Sequence, residues 1–395
     1  MSTDAEIRWV PVREVGEVRM GKQLSPSSRE GSGQHPYLRV ANVYEGRIDL
    51  SDVKTMGFSA GERQVYGLRP GDILLNEGQE NLRMVGRSAI YQGEPGEFCF
   101  QNTLIRFRPD CEVLPEYAQA VFVRWRAQGV FAGIAEKTSI SHLGGNRFGA
   151  LKFPLRSLPE QRRIVEVIDA VAAQESVITR SIGKLERTRA GMELAQLAGI
   201  ELNRFEDVVH FGPQNGIYKS ASAYGAEGTP IVRIDSFRGG PSDFNRNLLR
   251  VSLTSGEISS YGLAPGDVII NRVNTPELVG KSTVVRELLE PTVFESNMMR
   301  CKTRPERAVP AFVEMWLGSY LPKKHFRVRA KSAISQASIN GDDVRDCPFP
   351  SIDTREQCAI LDRLATVTTQ QRLEHAELAK LRSFKKGLVD DLLGG

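Results

Sequence analysis

Two long stretches of the chain carry apolar residues at intervals that alternate between four and three. The first stretch has them at Ile164, Ile168, Val171, Ile178, Ile182, Leu185 and Met192, and the second at Ile360, Leu364, Val367, Leu378, Leu381 and Leu388. This spacing forms one stripe along an α-helix and favours packing against another helix. We therefore expect two long helices that bury each other's stripes. The alternative is that each helix packs only on its own domain.

Polar residues interrupt both stripes at corresponding places. Glu175 in the first stripe corresponds to Gln371 in the second, and Arg189 corresponds to Lys385. Polar residues within such a stripe lower stability but fix the register and the partner of a helix pair. These four positions are therefore candidates for setting how the two helices align.

Shorter apolar segments precede each long helix and predict strands. They span residues 38–43, 73–75, 87–91 and 104–107 in the first half of the chain, and 232–234, 268–270 and 282–285 in the second. Glycine, proline or polar residues flank each segment, as is common for strands. Residues 116–125 and 311–320 have helical patterns, and the Pro-Gly-Asp sequences at 70–72 and 265–267 predict tight turns.

The two halves of the chain repeat one sequence pattern. Residues 66–76 read YGLRPGDILLN, and residues 261–271 read YGLAPGDVIIN. The Glu-Gln pair at 160–161 returns at 356–357, so the separation stays close to about 195 residues. A repeat of this length indicates two homologous domains, and therefore two similar tasks.

The length of the chain suits two or three domains. It has 395 residues, of which 41% are hydrophobic and 25% charged, which is ordinary for a globular protein. The repeat predicts a first domain at 1–157, a first long helix at 158–198, a second domain at 199–351 and a second long helix at 352–395. The expected fold class is α+β, with two homologous mixed domains separated by long helices.

Composition excludes several classes of protein. The sequence has no apolar stretch of about 18 residues and no basic start followed by an apolar run, so we expect a cytoplasmic protein without a membrane span. The five cysteines are scattered and never spaced C-x-x-C, and the five histidines are equally dispersed, so we expect no metal site. The net charge of +4 permits nucleic-acid binding if the basic residues cluster.

No catalytic motif is complete in this sequence. The Gly-Lys-Ser sequence at 280–282 resembles the end of a phosphate loop, but Thr275 stands where such a loop needs glycine. Dinucleotide-binding and nucleophile-elbow motifs are absent as well. The Asp-Asp pairs at 342–343 and 390–391 are interpreted as solvated charges. We therefore expect binding surfaces, with no catalysis and no cofactor.

Two pairs of polar loops are the candidates for binding. Residues 76–83 and 271–276 follow the repeated strand in each half, yet their sequences differ. The second pair is at 137–142 and 331–336. Their Arg, Lys, Asn, Gln, Ser and Thr side chains are the types that contact phosphates and read base edges. Different loops on one scaffold are what two different targets require, although loops also drift without function.

A dense basic run at 323–331 precedes one of these loops. If this run were a strand, Arg327, Arg329 and Lys331 would place three cations on one face, suited to phosphate contact, although such runs are often solvated surface. Lys22 and Lys219, near the starts of the domains, are weaker candidates. The candidate DNA-binding residues are Lys22, Gln79, Asn81, Arg83, Lys137, Ser139, His142, Lys219, Arg272, Asn274, Thr275, Lys324, Arg327, Lys331, Ser335 and Gln336.

Taken together, these features resemble the specificity subunits of type I restriction-modification systems. The resemblance lies in the order domain–helix–domain–helix and in the repeated Pro-Gly-Asp strand. It also lies in LPEQRRIVEVID at 158–169, REQCAILDRL at 355–364 and the ending FKKGLVDDLLGG. It covers almost the whole chain. One departure is that the second helix lacks the proline that Pro159 gives the first.

The resemblance implies a division of labour between this chain and its partners. Each repeated domain would be a target-recognition domain that reads half of a split sequence in double-stranded DNA. The long helices would pair as an antiparallel coiled coil that sets the gap between half-sites. Two modification subunits, which use S-adenosylmethionine to methylate adenine, would dock on the helices, and restriction subunits can join to cleave DNA with ATP. This chain would itself be non-catalytic.

Two other classes of function compete with this interpretation. The main alternative is a duplicated-domain scaffold for protein interactions without DNA binding. Salt-dependent binding to duplex DNA, alone or with a partner, would separate these two classes. A solitary nuclease or methyltransferase is the third interpretation, and the sequence carries no recognisable cofactor or metal motif for it.

Overall fold

The structure of the protein is a computed structural model that describes residues 7–30, 32–79, 81–137, 141–237, 242–332 and 336–394. It divides into two compact units. The first unit consists of Met1–Thr179 and Ala376–Gly395, and the second consists of Arg180–His375. Each unit therefore contains one of the repeated domains and half of each long helix.

The first domain is a mixed α/β structure. Its helices and strands, in chain order, are β1 (Arg8–Pro11), β2 (Gly16–Met20), α1 (Pro26–Glu30), β3 (Gln34–Leu38), β4 (Val43–Tyr44), β5 (Arg47–Ile48), β6 (Lys54–Gly57), α2 (Ala60–Tyr66), β7 (Ile73–Asn76), β8 (Gly78–Gln79), β9 (Ser88–Ile90), β10 (Cys99–Phe100), β11 (Leu104–Pro109), α3 (Pro115–Ala127), α4 (Val130–Ile134), β12 (Glu136–Lys137), β13 (Ser141–His142), α5 (Gly145–Ala150) and β14 (Lys152–Leu155). The central antiparallel sheet has the order β2-β11-β7-β9, and smaller sheets are β10-β3-β6, β12-β13-β8, β1-β14 and β4-β5. The first long helix, α6 (Leu158–Leu197), follows.

The second domain repeats this plan. Its elements are β15 (Leu202–Arg204), β16 (Val209–Asn215), β17 (Tyr224–Gly225), β18 (Thr229–Val232), β19 (Leu249–Val251), α7 (Ser255–Tyr261), β20 (Val268–Asn271), β21 (Val273–Asn274), β22 (Ser282–Val284), β23 (Val293–Phe294), β24 (Met298–Thr303), α8 (Pro310–Leu317), α9 (Tyr320–Arg329), β25 (Lys331–Ser332), β26 (Ala337–Ser338), α10 (Gly341–Arg345) and β27 (Pro348–Pro350). Its central sheet, β16-β24-β20-β22, matches that of the first domain, beside β17-β19-β18-β23, β21-β26-β25 and β15-β27. The second long helix is α11 (Thr354–Gly394).

The repeated Pro-Gly-Asp sequence forms the predicted tight turn in both domains. Gly71 has φ of 90° and Gly266 has φ of 92°, a left-handed conformation that favours glycine. The Asp72 carboxylate accepts a hydrogen bond from the backbone N–H of Arg69 at 2.8 Å, which closes the turn. The turn leads directly into the middle of the central sheet.

The strand after this turn is apolar on both faces because both faces are covered. In the first domain, Ile73 and Leu75 pack in a core with the aromatic residues of α3 and α5. Leu74, which points to the opposite face, packs in a separate core with residues of the neighbouring sheet β10-β3-β6. Val268 and Ile269 of the second domain divide between two cores in the same way. Continuous burial explains why these strands lack the polar–apolar alternation of a half-exposed strand.

The two long helices pack against each other within each unit. In the first unit, Ile164 of α6 shares a core with Leu393 of α11. In the second unit, Ile360 of α11 belongs to the core against which Met192 of α6 packs. Residue numbers rise along one helix as they fall along the other, so the pairing is antiparallel. The predicted helix-on-helix packing is confirmed, and the helix ends also join the cores of the domains.

The polar residues in the stripes make specific contacts. Glu175 accepts hydrogen bonds from Arg382 at 2.7 Å and from Lys385 at 3.1 Å. The hydrogen bond from Arg382 is the main cause that holds the pKa of Glu175 below its ordinary value. Arg189, the counterpart of Lys385 in the repeat, lies in the second unit. It pairs with Glu193 of its own helix at 2.8 Å. The two polar breaks are therefore not equivalent, because the Glu175 ion pairs join one long helix to the other and the Arg189 ion pair does not.

A buried glutamine fixes the start of α6 to the first domain. The amide of Gln161 donates to the carbonyl oxygens of Glu112 at 2.7 Å and Arg156 at 2.8 Å. Its side-chain oxygen accepts a hydrogen bond from the backbone N–H of Leu114 at 2.8 Å. One side chain therefore satisfies three backbone groups. Two of them lie in the segment that leads into α3, and the third lies between β14 and α6.

The repeat places the same contact at the start of α11. Gln357 donates to the carbonyl oxygens of Arg307 at 2.8 Å and Ile352 at 3.1 Å, and accepts from the N–H of Val309 at 2.8 Å. Asp353 caps this helix by accepting a hydrogen bond from the N–H of Glu356 at 2.8 Å. The second helix thus begins with an aspartate cap and without a counterpart of Pro159.

Two sequence interpretations are wrong in detail. The predicted strand at 38–43 ends at Leu38, because the Asn42 side chain accepts from the N–H of Arg39 at 3.0 Å and turns the chain into a 3-10 segment. Asp390 is not a solvated charge, since it accepts a hydrogen bond from Arg124 at 3.1 Å. Asp343 likewise accepts from the N–H of Asn340 at 2.8 Å at the start of α10.

Replacing Ile182 with aspartate is expected to destabilise the helix pair. Ile182 is 6% exposed in the stripe of α6, and an unpaired carboxylate there costs about 3 kcal/mol of unfolding free energy. Val177, on the same helix, is 56% exposed, so Val177→Asp serves as the matched control. Denaturant unfolding monitored by helical circular dichroism measures both. Equal stability of the two variants would contradict burial of this stripe.

Candidate functional site

The two predicted binding loops of the first domain meet in one small sheet. Strand β13 pairs with β8 through Ser141 opposite Gln79, and it pairs with β12 through Ser141 opposite Lys137. Segments about sixty residues apart in sequence thus become neighbours. We call β8, β12 and β13 the first small sheet.

The second domain builds the equivalent sheet from its own pair of loops. Strand β26 pairs with β21 through Ala337 opposite Asn274, and with β25 through Ala337 opposite Ser332. We call β21, β25 and β26 the second small sheet. In each domain the structure therefore assembles the two segments that the sequence indicated separately.

The central sheet fixes the position of each small sheet. The N–H of Leu143 donates to the carbonyl of Glu77 at 2.8 Å, and the N–H of Ile339 donates to the carbonyl of Arg272 at 3.0 Å. Leu143 and Ile339 are both buried in the main core of their domain. Each small sheet thus begins where the buried strand, β7 or β20, ends. A core residue, Leu143 or Ile339, directly follows the middle strand of the small sheet.

A glycine packs on a phenylalanine of the helix that directly precedes each small sheet's outer strand, β12 or β25. Gly86 and Gly280 have φ of 74° and 79°. A Cβ on Gly86 would lie 2.1 Å from the ring of Phe131, and one on Gly280 would lie 2.3 Å from the ring of Phe326. The two glycines stand in a second repeated segment, which reads VGRSAI at 85–90 and VGKSTV at 279–284. The close approach explains why both copies have glycine.

A histidine and a glutamate form the polar centre of the first small sheet. The Nδ1 atom of His142 lies 2.9 Å from Oε2 of Glu77, and the other glutamate oxygen accepts from the N–H of Gly144 at 3.3 Å. A carboxylate oxygen accepts from an imidazole N–H, so this contact suits a ring that carries a proton on Nδ1. His142 is 45% exposed at its side chain while Glu77 is largely buried, so the glutamate orients the ring.

The second small sheet carries different chemistry on the same backbone. Arg272 stands at the position of Glu77, so the charge at this point is reversed between the domains. Asn274 is half-buried, and its side-chain oxygen accepts from the N–H of Thr275 at 2.8 Å. Thr275 and Gln336 are exposed. These donors and acceptors are the types that contact bases and phosphates.

The basic run at 323–331 is a helix over most of its length, so its prediction as a strand is wrong. Residues Tyr320–Arg329 form α9, in which Pro322 and Phe326, four residues apart, are both buried against the domain. Arg329 consequently lies away from Arg327 and pairs with Asp346 at 2.8 Å. The hydrogen bonds from Arg204 and then Arg329 hold the pKa of Asp346 below its ordinary value.

The two weaker candidates are committed to internal ion pairs. Lys22 donates to Glu62 of α2 at 2.7 Å, and Lys219 pairs with Glu257 of α7 at 2.7 Å. In each case the hydrogen bond from the lysine is the leading cause that lowers the pKa of the glutamate. The structure thus joins these lysines to the helix starts rather than to the small sheets.

For most of the remaining candidate residues, the structure describes the backbone position or nothing at all. Ser139 and Ser335 lie outside the described residues. The backbones of Gln79, Arg83 and Lys137 are placed in or beside the first small sheet, but their side chains are not described; Asn81 is exposed.

Two residues near these sites are not among the candidates that the sequence indicates. Glu77 lies 65 residues from its partner His142, so no local pattern connects them. Tyr320 is 73% exposed at the start of the basic helix. Tyr320 precedes Lys324 by four residues, a spacing that makes the two side chains neighbours on a helix but not on a strand.

Metal-ligand clusters and membrane-spanning helices were sought among the described residues. Within it, no group of three or more His, Cys, Asp and Glu side chains is placed to hold a metal ion. None of the helices in the described ranges is long and apolar enough to cross a membrane.

Comparison with known proteins identifies similar chains. Residues 6–187 match the family described as the type I restriction modification DNA specificity domain. The EcoKI specificity subunit of Escherichia coli strain K12 is 21% identical over 381 residues, which cover 90% of this chain and 80% of that protein. The StySPI specificity subunit of Salmonella potsdam is 22% identical over 380 residues, with the same coverage.

Solved structures share the fold. A chain from a structure describing complex assembly and conformational transition of the type I R-M system aligns with a TM-score of 0.56 at 17% identity, covering 98% of this chain and 97% of that one. The S subunit of a type I restriction-modification system from M. genitalium aligns with a TM-score of 0.52 at 13% identity, covering 100% and 98%. The predicted fold class, two mixed domains with paired long helices, is confirmed.

Replacing Gly280 with alanine is expected to disturb the second small sheet. The new methyl group would collide with the Phe326 ring and the backbone would be strained at φ of 79°, together costing about 2 kcal/mol. Gly256→Ala, where a Cβ meets nothing within 4 Å, is the control. Hydrogen exchange of the amides in β21 and β26 reports the effect. Unchanged protection in the Gly280 variant would remove this glycine from the support of the sheet.

Proposed function

We propose that the chain recognises a bipartite DNA target, because residues 6–187 match the type I restriction modification DNA specificity domain and specificity subunits are similar to the chain over 90% of its length. Each domain reads one half of a double-stranded sequence. The domains are those at 1–157 and 199–351, and the helices at 158–198 and 352–395 act as the spacer between them. The chain is the specificity subunit of a type I complex and is not itself catalytic.

One observation carries this proposal: the two small sheets share a backbone but not their side chains. The supporting glycines Gly86 and Gly280 are alike in both domains, whereas Glu77 corresponds to Arg272. A protein that reads two different half-sites needs a constant scaffold and variable readers. A general interaction scaffold has no need to reverse a charge at one point of an otherwise repeated structure.

The side chains on the small sheets are suited to reading bases. Arginine recognises the acceptor edge of guanine, and asparagine or glutamine recognises adenine. We assign these roles to Arg272, Asn274 and Gln336 in the second domain. In the first domain we assign base or phosphate contacts to His142. The other proposed contacts on or beside the small sheets are Gln79, Asn81, Arg83, Lys137, Ser139, Thr275, Lys331 and Ser335.

The proposed partners supply the chemistry that this chain lacks. Two modification subunits bind the paired helices and methylate adenine within the recognised sequence, using S-adenosylmethionine held by those subunits. Restriction subunits join some such complexes and cleave DNA. We place this activity in the cytoplasm, where the chromosome is accessible to the assembled complex.

Sequencing of methylated adenines in the host genome tests the proposal. With the gene present, methylation is expected at a sequence with two short specified parts separated by unspecified bases. Deleting the gene alone, with the modification gene retained, should abolish that methylation. Methylation that persists after deletion, or a single uninterrupted target, would contradict the proposal.

Exchanging the loop at 271–277 is expected to alter one half-site only. The loop belongs to the second small sheet, and the first small sheet is built from other strands. A chimera that carries the corresponding segment of a relative should therefore methylate a target with one new half and one unchanged half. The reciprocal exchange of residues 76–83 is the matched control and should alter the other half. Simultaneous change of both halves would contradict two separate readers.

A further inference from the structure

The outer face of α9 is a compact basic surface. At about 100° per residue, Tyr320, Lys323, Lys324 and Arg327 fall within an arc of about 100° on the helix. The buried Phe326 lies outside that arc. All four outer residues are exposed. We call these four residues the α9 basic face.

The cations of this face are available for a ligand. Within the described residues, neither Lys323 nor Arg327 has an ion-pair partner. Lys324 lies over the ring of Tyr320, with its Nζ 5.9 Å from the ring centre, which leaves its three N–H donors free. Arg329, on another side of the helix, is already paired with Asp346. The face therefore concentrates three cations and one exposed phenol, which can also donate to a phosphate oxygen.

The first domain lacks these cations at the equivalent positions of its sequence. Phe131 and Phe326 are equivalent because each packs on the glycine of the same repeated segment. At that offset, three uncharged residues correspond to the cations of the α9 basic face, namely Gln128, Gly129 and Ala132. Lys331 likewise corresponds to Glu136. The two domains thus share their scaffold but differ by several charges on this side.

We propose that the α9 basic face binds backbone phosphates of duplex DNA, and that the second domain therefore supplies most of the sequence-independent affinity of the chain. The inference rests on the proposed function and adds an unequal division of work. Both domains read bases, but one anchors the duplex. The face continues directly into β25 of the second small sheet, so an anchored backbone lies beside the proposed readers.

Neutralising the face tests this inference through salt dependence. Each phosphate contact releases condensed counterions and contributes about 0.9 to the log–log slope of affinity against salt. Lys324→Gln with Arg327→Gln should therefore lower the slope by about 1.8 in the complex assembled with modification subunits. Affinity for random and target duplexes should fall by similar factors, because phosphate contacts do not read sequence.

The control removes the same charge from another surface of the second domain. Arg246 and Arg304 are exposed and lie outside α9, so Arg246→Gln with Arg304→Gln should leave the slope unchanged.

A gain-of-function variant, Ala132→Arg with Glu136→Lys, gives the first domain two cations at the equivalent positions. Its slope should rise, by up to about 1.8 if both new side chains reach phosphates. Thermal unfolding of each variant establishes that the fold is retained.

The outcomes separate this inference from the proposed function. An unchanged slope in the α9 variant, with the host methylation pattern intact, would overturn phosphate anchoring but leave DNA recognition standing. A loss confined to the target duplex would also overturn it, because it would make these residues base readers. A flat response in the first-domain variant would overturn the idea that the two faces lie alike on the duplex and differ in affinity because only one carries cations. Failure of the proposed function itself would appear instead as methylation that does not depend on the gene.

Discussion

Each long helix is tied to its domain by one buried glutamine, and the rest of the structure depends on this contact. Gln161 and Gln357 each satisfy three backbone groups with a single side chain. A buried amide with all its hydrogen bonds made has little freedom, and leaving its partners unpaired would cost about 1–3 kcal/mol for each group. The proposed function makes each long helix a spacer, and a spacer needs a rigid joint with the domain that it carries.

A constant scaffold with a variable edge follows from the packing of the central sheet. The middle strand is buried on both faces, so its sequence is constrained in both domains. The small sheet starts where that strand ends, and the residues that follow its middle strand, Leu143 and Ile339, are fixed by packing in the core. The remaining positions are free to carry Glu77 in one domain and Arg272 in the other. A new specificity therefore requires few changes in the folding core.

The sequence was sufficient for the long-range organisation and insufficient for the site. The alternation of four and three predicted the helix pair, because a long apolar stripe must be covered and the second helix offers a stripe of matching spacing. The strands of the small sheets are two residues long, and they exist only because segments distant in sequence pair with each other. No periodicity can reveal such strands. The basic run is wrongly predicted as a strand because Arg327, Arg329 and Lys331 alternate, whereas burial of Phe326 makes the segment a helix.

The most direct measurement is photocrosslinking of the assembled complex to its target duplex. A photoreactive side chain at Thr275, exposed in the loop of the second small sheet, should crosslink to bases within one half-site. The same group at Leu194, which is exposed on a long helix, is the control and should not mark that half-site. Crosslinks from Thr275 confined to one half of the target are the predicted result. Crosslinks absent at Thr275, or spread over both halves, would contradict the claim that each small sheet reads its own half of the DNA.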